Sequence, residues 1–303
     1  MDSTSSVNSA RCGKRLEFGS SPDICFIFPN HGGAIITAEK FALAKKSELF
    51  EKQFPPSRNE IDATSERVAI TEISVDTFAK FVKHIYGTAI DIDEENYLEL
   101  LYASTKYFVD DLTHMIVEFL KGFLDSGNVV QHFEFIEKFN IKMLNDYMKR
   151  LFVKFPLDVI KSLTISAPHK RILKMILKSP FLPVSEFDLY KAILKMKCLE
   201  QNVVHHGERL RKDLGKLIYL IRFPCMTVKE LISCGETPTL LTHKELVDFL
   251  LWVEKDQYSD TIRSFSTDNR IQVVLSSNLA LCTQCRAAHK LEKFQCTECS
   301  KDF

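Results

Sequence analysis

The sequence ends in LCTQCRAAHKLEKFQCTECSKDF, which holds Cys282, Cys285, Cys296 and Cys299 in the pattern Cys-x2-Cys-x10-Cys-x2-Cys. Zinc takes four soft or borderline ligands in a tetrahedron. A two-residue gap lets both sulfurs of a pair reach one ion around a tight turn. The ten-residue loop is long enough to bring the second pair to the opposite side. Such a site has no open position for water, so it reads as structural rather than catalytic. Four thiolates around a dication leave net negative charge, which Arg286, Lys290 and Lys293 would offset, and Leu291 and Phe294 would pack over the knuckles. A segment this short cannot bury enough apolar surface to fold alone, and metal binding can supply on the order of 10 kcal/mol. Two alternatives stay open: four free thiols on a disordered tail, or His289 replacing one cysteine.

The 303 residues carry 40 basic and 40 acidic side chains, so nothing draws the whole chain to DNA, RNA or an acidic membrane. An apolar content of 45% fits a buried core, and the length suggests about two domains. Met1 to Ser9 is polar, and no run approaches the roughly 20 apolar residues of a membrane span. A cytoplasmic or nuclear chain is expected. Its cysteines stay reduced there, and pairs of them indicate metal before disulfide. Cys12, Cys25, Cys198, Cys225 and Cys234 are scattered and read as free thiols.

The elements that must carry this ending change character along the chain. Residues 1–19 are Ser-rich and read as flexible. DICFIFPNHGGAIIT is apolar on both faces around a turn at Pro29 to Gly33, which predicts a buried hairpin. The stretch AITEI reads as a third strand, and AEKFALAKKSELFEKQF between them as helix. Phe78, Phe81, Val82 and Ile85 follow helical spacing, and Gly87 ends that helix. Leu98, Leu101, Tyr102 and Thr105 form the next expected stripe, and Leu112, Met115, Ile116, Phe119, Leu120 and Phe123 a third. From Asp125 only helices are expected, punctuated by prolines. DQYSDTIRSFSTDNR reads as a linker, and IQVVLSSNLAL as a short strand pair leading into the cysteines.

No glycine-rich phosphate loop, dinucleotide fingerprint or nucleophile elbow occurs, so the chain reads as a non-enzyme. Asp93-Glu94-Glu95 and Asp110-Asp111 read as solvated helix starts, not acid–base dyads. His205-His206 beside Cys198 reads as a polar loop, with a second metal site as the alternative.

The segments DICFIF, ALAKKSELFEKQF and FAKFVKHIYGTAIDIDEENYLELLYASTKYFVDDLTHMIVEFL together resemble a BTB/POZ domain. NVVQHFEFIEKFNIKMLNDYMKRLF, LIYLIRFPCMTVKELI and LLTHKELVDFLLW resemble a BACK domain. The resemblance implies an α+β BTB/POZ domain at 20–124 and an all-α BACK domain at 125–255, then a linker at 256–269 and a small zinc-ribbon tail at 270–303. Too few residues remain for Kelch repeats. It also implies a homodimer or higher oligomer that recruits a protein target to a cullin-3 ubiquitin ligase. The implied cullin-facing residues are Phe50, Phe54, Tyr86, Tyr107, His132 and Phe135.

The pattern departs from that family in three places. PPSRNEIDATSE has no apolar residue two before Glu60, Glu39-Lys40 replaces a His-Lys pair, and the N-terminal segment offers mainly Leu16 and Phe18 for a strand-swapped dimer. A BTB scaffold without cullin, acting in transcription or on the cytoskeleton, and a nucleic-acid binder acting through the tail are the competing readings. The cysteine spacing predicts one zinc ion per chain by native mass spectrometry, lost on Cys282→Ser/Cys285→Ser. A zinc-replete chain that stays metal-free would defeat the ribbon.

Overall fold

The computed structural model describes residues 14–54, 66–196 and 206–267 with side chains, and 271–276, 279–282 and 288–290 as backbone strands. The chain forms two compact units, Met1–Phe123 and Leu124–Phe303.

The first unit is built on a sheet of order β1-β3-β2-β4. β1 (Arg15–Glu17) runs parallel to β3 (Ala34–Ala38), which pairs antiparallel with β2 (Ile24–Phe28). Gly32 and Gly33 close that hairpin at φ of 66° and 71°, a region nearly reserved for glycine. β4 (Glu66–Ala69) lies parallel to β2. Two expectations change here. Arg15–Glu17 is an edge strand within a segment expected to be flexible, unannounced because its side chains are mostly exposed. The strand expected at AITEI is Glu66–Ala69 instead. Ile70 donates its N–H to the Ile27 carbonyl at 2.8 Å, and Ile70 and Ile73 then turn into the core.

The single helix expected after β3 is two, α1 (Lys40–Lys46) and α2 (Glu48–Gln53), split at Ser47. α3 (Val75–Ile85) buries Phe78, Phe81, Val82 and Ile85 as its spacing requires, and Gly87 follows at φ 78°. α4 (Tyr97–Lys106) is rotated from expectation: it buries Tyr97, Leu100, Leu101, Ala103 and Ser104. The Asp93 carboxylate sets that start by accepting the N–H groups of Glu95 and Asn96, each at 3.0 Å. Tyr97 then packs on Phe119 and Phe123 of α5 (Asp110–Phe123), at 6.1 and 6.0 Å. Met115, expected in the apolar band of α5, is 42% exposed.

The second unit is mostly helical. α6 (Val129–Lys138), α7 (Lys142–Lys154), α8 (Pro156–Ser162) and α9 (Ala167–Lys178) lead to β5 (Phe181–Leu182). There follow α10 (Glu186–Leu194), α11 (His206–Leu214), α12 (Val228–Cys234), α13 (His243–Lys255) and α14 (Asp260–Ser264). Thr227 with Glu230, and Thr242 with Glu245, form capping boxes that start α12 and α13. The expected linker at 256–269 contains α14, which buries Ile262, and Phe265 follows it into the core. Phe265 meets Phe249 at 5.0 Å and Phe223 at 5.7 Å. Two apolar residues three apart suffice to anchor a stretch whose other residues are polar.

The expected strand pair near the C-terminus is present as β6 (Ile271–Ser276) and β7 (Leu279–Cys282), antiparallel, with β8 (Ala288–Lys290) added. The expectation of helices alone fails at β5, which pairs parallel with β6 through Phe181↔Ile271 and Leu182↔Gln272. A two-residue strand between helices has too few positions to show a period.

Arg211 reaches both carboxylate oxygens of Glu245 at 2.7 and 2.8 Å and also bonds the Leu240 carbonyl. Burial alone would raise the Glu245 carboxyl, but the bonds from Arg211 and from Thr242 outweigh it and hold it below its ordinary value. A carboxyl that titrates lower in the folded chain stabilises the fold at neutral pH. That stabilisation is lost as pH falls below about 4.3. Glu245→Gln should therefore cost about 2 kcal/mol in urea melts at pH 7. The difference from the parent should shrink towards zero in acid; a cost independent of pH would contradict the ion-pair role.

Candidate interaction surface

The six residues implied by the family resemblance fall into distinct environments. Phe50 and Tyr107 are core side chains, 1% and 4% exposed, with rings 4.7 Å apart. Phe54 stacks on the other side of Phe50 at 5.7 Å and is half-buried, so it is the outward end of a three-ring column. The Lys40 ammonium stands 5.5 Å from the Phe54 ring and pairs with Glu66 at 3.2 Å. Phe50 and Tyr107 therefore support a surface and do not form it.

Ser47 fixes this column. Its hydroxyl accepts from the Phe50 N–H, capping α2, and donates to the Tyr107 carbonyl at the end of α4. Burial pushes the Tyr107 phenol above the ordinary range. Lys106 lies 5.6 Å from that ring and 3.5 Å from the Glu72 carboxylate.

Tyr86 stands outside the column. Its hydroxyl accepts from the Glu39 N–H at 2.9 Å and donates to the Phe18 carbonyl at 3.4 Å. The Glu39 carboxylate in turn accepts the N–H groups of Ser20 and Ser21, at 2.7 and 2.9 Å. Those backbone bonds lower the Glu39 carboxyl below its ordinary value. The glutamate that replaces the family's histidine therefore holds the chain between β1 and β2. His132 and Phe135 belong to the second unit, on α6; His132 is half-buried and Phe135 is 52% exposed.

One surface residue went unread in the sequence. Phe108 has φ of 53° and is 53% exposed. The Val109 N–H reaches back to the Ser104 carbonyl at 2.8 Å, closing α4 in the manner usually reserved for glycine. An aromatic ring held there carries a conformational cost of about 1–2 kcal/mol and stands open to solvent. No helix-stop residue in KYFVDD announces it. Just beyond, Asp111 lies 3.0 Å from Lys46 and 3.2 Å from His84, joining the ends of α1, α3 and α5. Burial alone would raise the Asp111 carboxyl, but these two partners hold it below its ordinary value.

The cysteine pattern is only partly within view. Cys282 is the last residue of β7, while Cys285, Cys296 and Cys299 lie outside the described residues, as do Cys12, Cys198 and His205. Cys25 and Cys234 are buried free thiols and Cys225 is half-buried. His206 starts α11, its Nε2 2.7 Å from the Leu194 carbonyl.

Residues 14–124 match the BTB/POZ domain family, so the chain carries a BTB/POZ domain that coincides with the first unit. BTB/POZ domains are generally non-enzymatic modules of protein–protein interaction. The chain is 26% identical over 234 residues to human "BTB/POZ domain-containing protein 3", and 24% identical over 234 residues to human "BTB/POZ domain-containing protein 6". The zebrafish (Danio rerio) "BTB/POZ domain-containing protein 6-B" is 26% identical over 234 residues. Each match covers 76% of this chain and 44%, 43% and 48% of the respective relative, so less than half of each relative is represented.

Ser47→Ala removes the cap of α2 and leaves the buried Tyr107 carbonyl without its donor. The expected cost is about 2 kcal/mol in urea denaturation. An unchanged midpoint would show that Ser47 does not hold the aromatic column.

Proposed function

We propose that the chain is a target-recruiting adaptor of a cullin-3 type ubiquitin ligase, assembled through self-association of its BTB/POZ unit. The observation that carries this reading is the BTB/POZ domain at 14–124 followed directly by the helix pair α6–α7. In this reading the helical unit is a BACK domain at 125–255. Phe54 and Phe135 are the contact side chains, His132 flanks Phe135, and Tyr86 positions the edge segment. Phe50 and Tyr107 act behind Phe54.

The tail at 270–303 is proposed to be a structural zinc ribbon. β7 and β8 support it: they pair antiparallel through Leu281↔Ala288, and Cys282 is the last residue of β7. A short reversal is what a Cys-x2-Cys pair needs to present both sulfurs to one ion. Zinc would supply only cross-linking there. No helix among the described residues is long and apolar enough to cross a membrane, and a cytoplasmic or nuclear location is part of the proposal. The adaptor would do no chemistry; it would raise the local concentration of a target near the ligase.

A second reading, a BTB oligomerisation scaffold without cullin, is favoured by one observation: Arg58 stands two before Glu60, where cullin-binding relatives place an apolar residue. Titration of the purified chain with the N-terminal half of cullin-3 separates the two. The ligase reading expects a Kd of about 1 μM or tighter, weakened about tenfold or more by Phe135→Ala. No binding at about 10 μM would leave the scaffold reading.

A further inference from the structure

The neutral total conceals a strong local imbalance. Between Lys138 and Lys178 stand ten lysines and arginines against two acids, Asp146 and Asp158, in a chain with 40 of each sign. Those two acids pair with Lys149 and Lys161, and Arg171 pairs with Glu137 of α6.

α9 concentrates what is left. It has no acidic residue, and it places Lys170 and Arg171 near its N-terminal end, where the helix dipole disfavours cations. α6 and α7 also start without an acid, whereas α8 and α10 to α14 each place Asp or Glu in the first turn. The apolar face of α9 is buried through Ile172, Leu173, Ile176 and Leu177. Its opposite face exposes Arg171, Lys174 and Lys178, spaced i, i+3, i+7. Among the described residues no carboxylate lies within ion-pair distance of Lys174 or Lys178. Like charges at such spacing destabilise an isolated helix.

We propose that the solvent face of α9 is the docking surface for an acidic segment of a partner protein. Charge complementarity is the argument: the fold tolerates uncompensated cations on one face, and an anionic partner removes their repulsion. The stripe from Arg171 to Lys178 is about 10 Å long at 1.5 Å per residue. Carboxylates on two turns of a helix, or on a short extended segment, span the same length. A nucleic-acid footprint usually neutralises more phosphates, about six to ten. It also uses open rings for stacking. Here the nearby exposed rings already face cations, with Lys138 over Phe135 at 5.2 Å and Lys154 over Phe155 at 5.1 Å. The surface stands whether or not a cullin is bound.

The test uses the full chain and a fluorescein-labelled, glutamate-rich helical peptide of about 20 residues, followed by anisotropy at two salt concentrations. The expected result is saturable, salt-sensitive binding that Lys174→Glu/Lys178→Glu weakens about tenfold or more, with Lys174→Gln/Lys178→Gln intermediate. Lys229→Glu/Lys244→Glu makes the same charge change elsewhere in the second unit and should leave binding unchanged. All four α9 substitutions are at exposed positions, and circular dichroism checks that the helices persist. Equal losses at both sites, or no saturable binding, would overturn the proposal. So would tighter α9-dependent binding of a single-stranded oligonucleotide or of phosphatidylserine vesicles than of the peptide.

Discussion

The ring of Phe78 is the point at which sheet and helices of the BTB/POZ unit meet. It lies 4.9 Å from Phe26 and 5.5 Å from Phe28 on β2, 5.6 Å from Phe81 on its own helix, and 6.2 Å from Tyr107 at the end of α4. A rigid ring fully shielded from water contributes a large apolar area at little entropic cost. It also restricts its neighbours, because edge and tilted contacts allow few alternatives in a close-packed interior. Phe50 stacks on Tyr107, and Phe54 on Phe50. What Phe54 presents to the outside is thus set by a chain of rings leading back to the sheet.

The helical unit shows the same economy at its other end. Phe223, Phe249 and Phe265 join the segment before α12, the helix α13 and the stretch after α14. Phe265 is held in this core, and β6 is hydrogen-bonded to β5.

Charge in this protein serves position more than attraction. Glu39, Asp93, Asp111 and Glu245 each tie the end of one element to another, and their carboxyls sit below their ordinary values because N–H groups or cations face them. The segment from Lys138 to Lys178 is the exception, with more cations than its own carboxylates can match. Composition averaged over the whole chain hides that segregation.

Much of this architecture was legible in the order of residues. The hairpin around Gly32 and Gly33, the α3 stripe and the strand pair before the cysteines follow from periodicity and turn chemistry, which are local properties, whereas the BTB/POZ domain was read from resemblance to a known family. The face of α4, the break at Ser47, the edge strand at Arg15–Glu17 and the packing of α14 were not legible. Each depends on a partner distant in sequence: Phe119 for Tyr97, Tyr107 for Ser47, β3 for β1, Phe249 for Phe265. The candidate contact residues divide in the same way. An aromatic type can be read from sequence, but whether its ring faces water is decided only when other elements cover it. Tertiary structure therefore turned Phe50 and Tyr107 inward and left Phe108 and Phe135 outside.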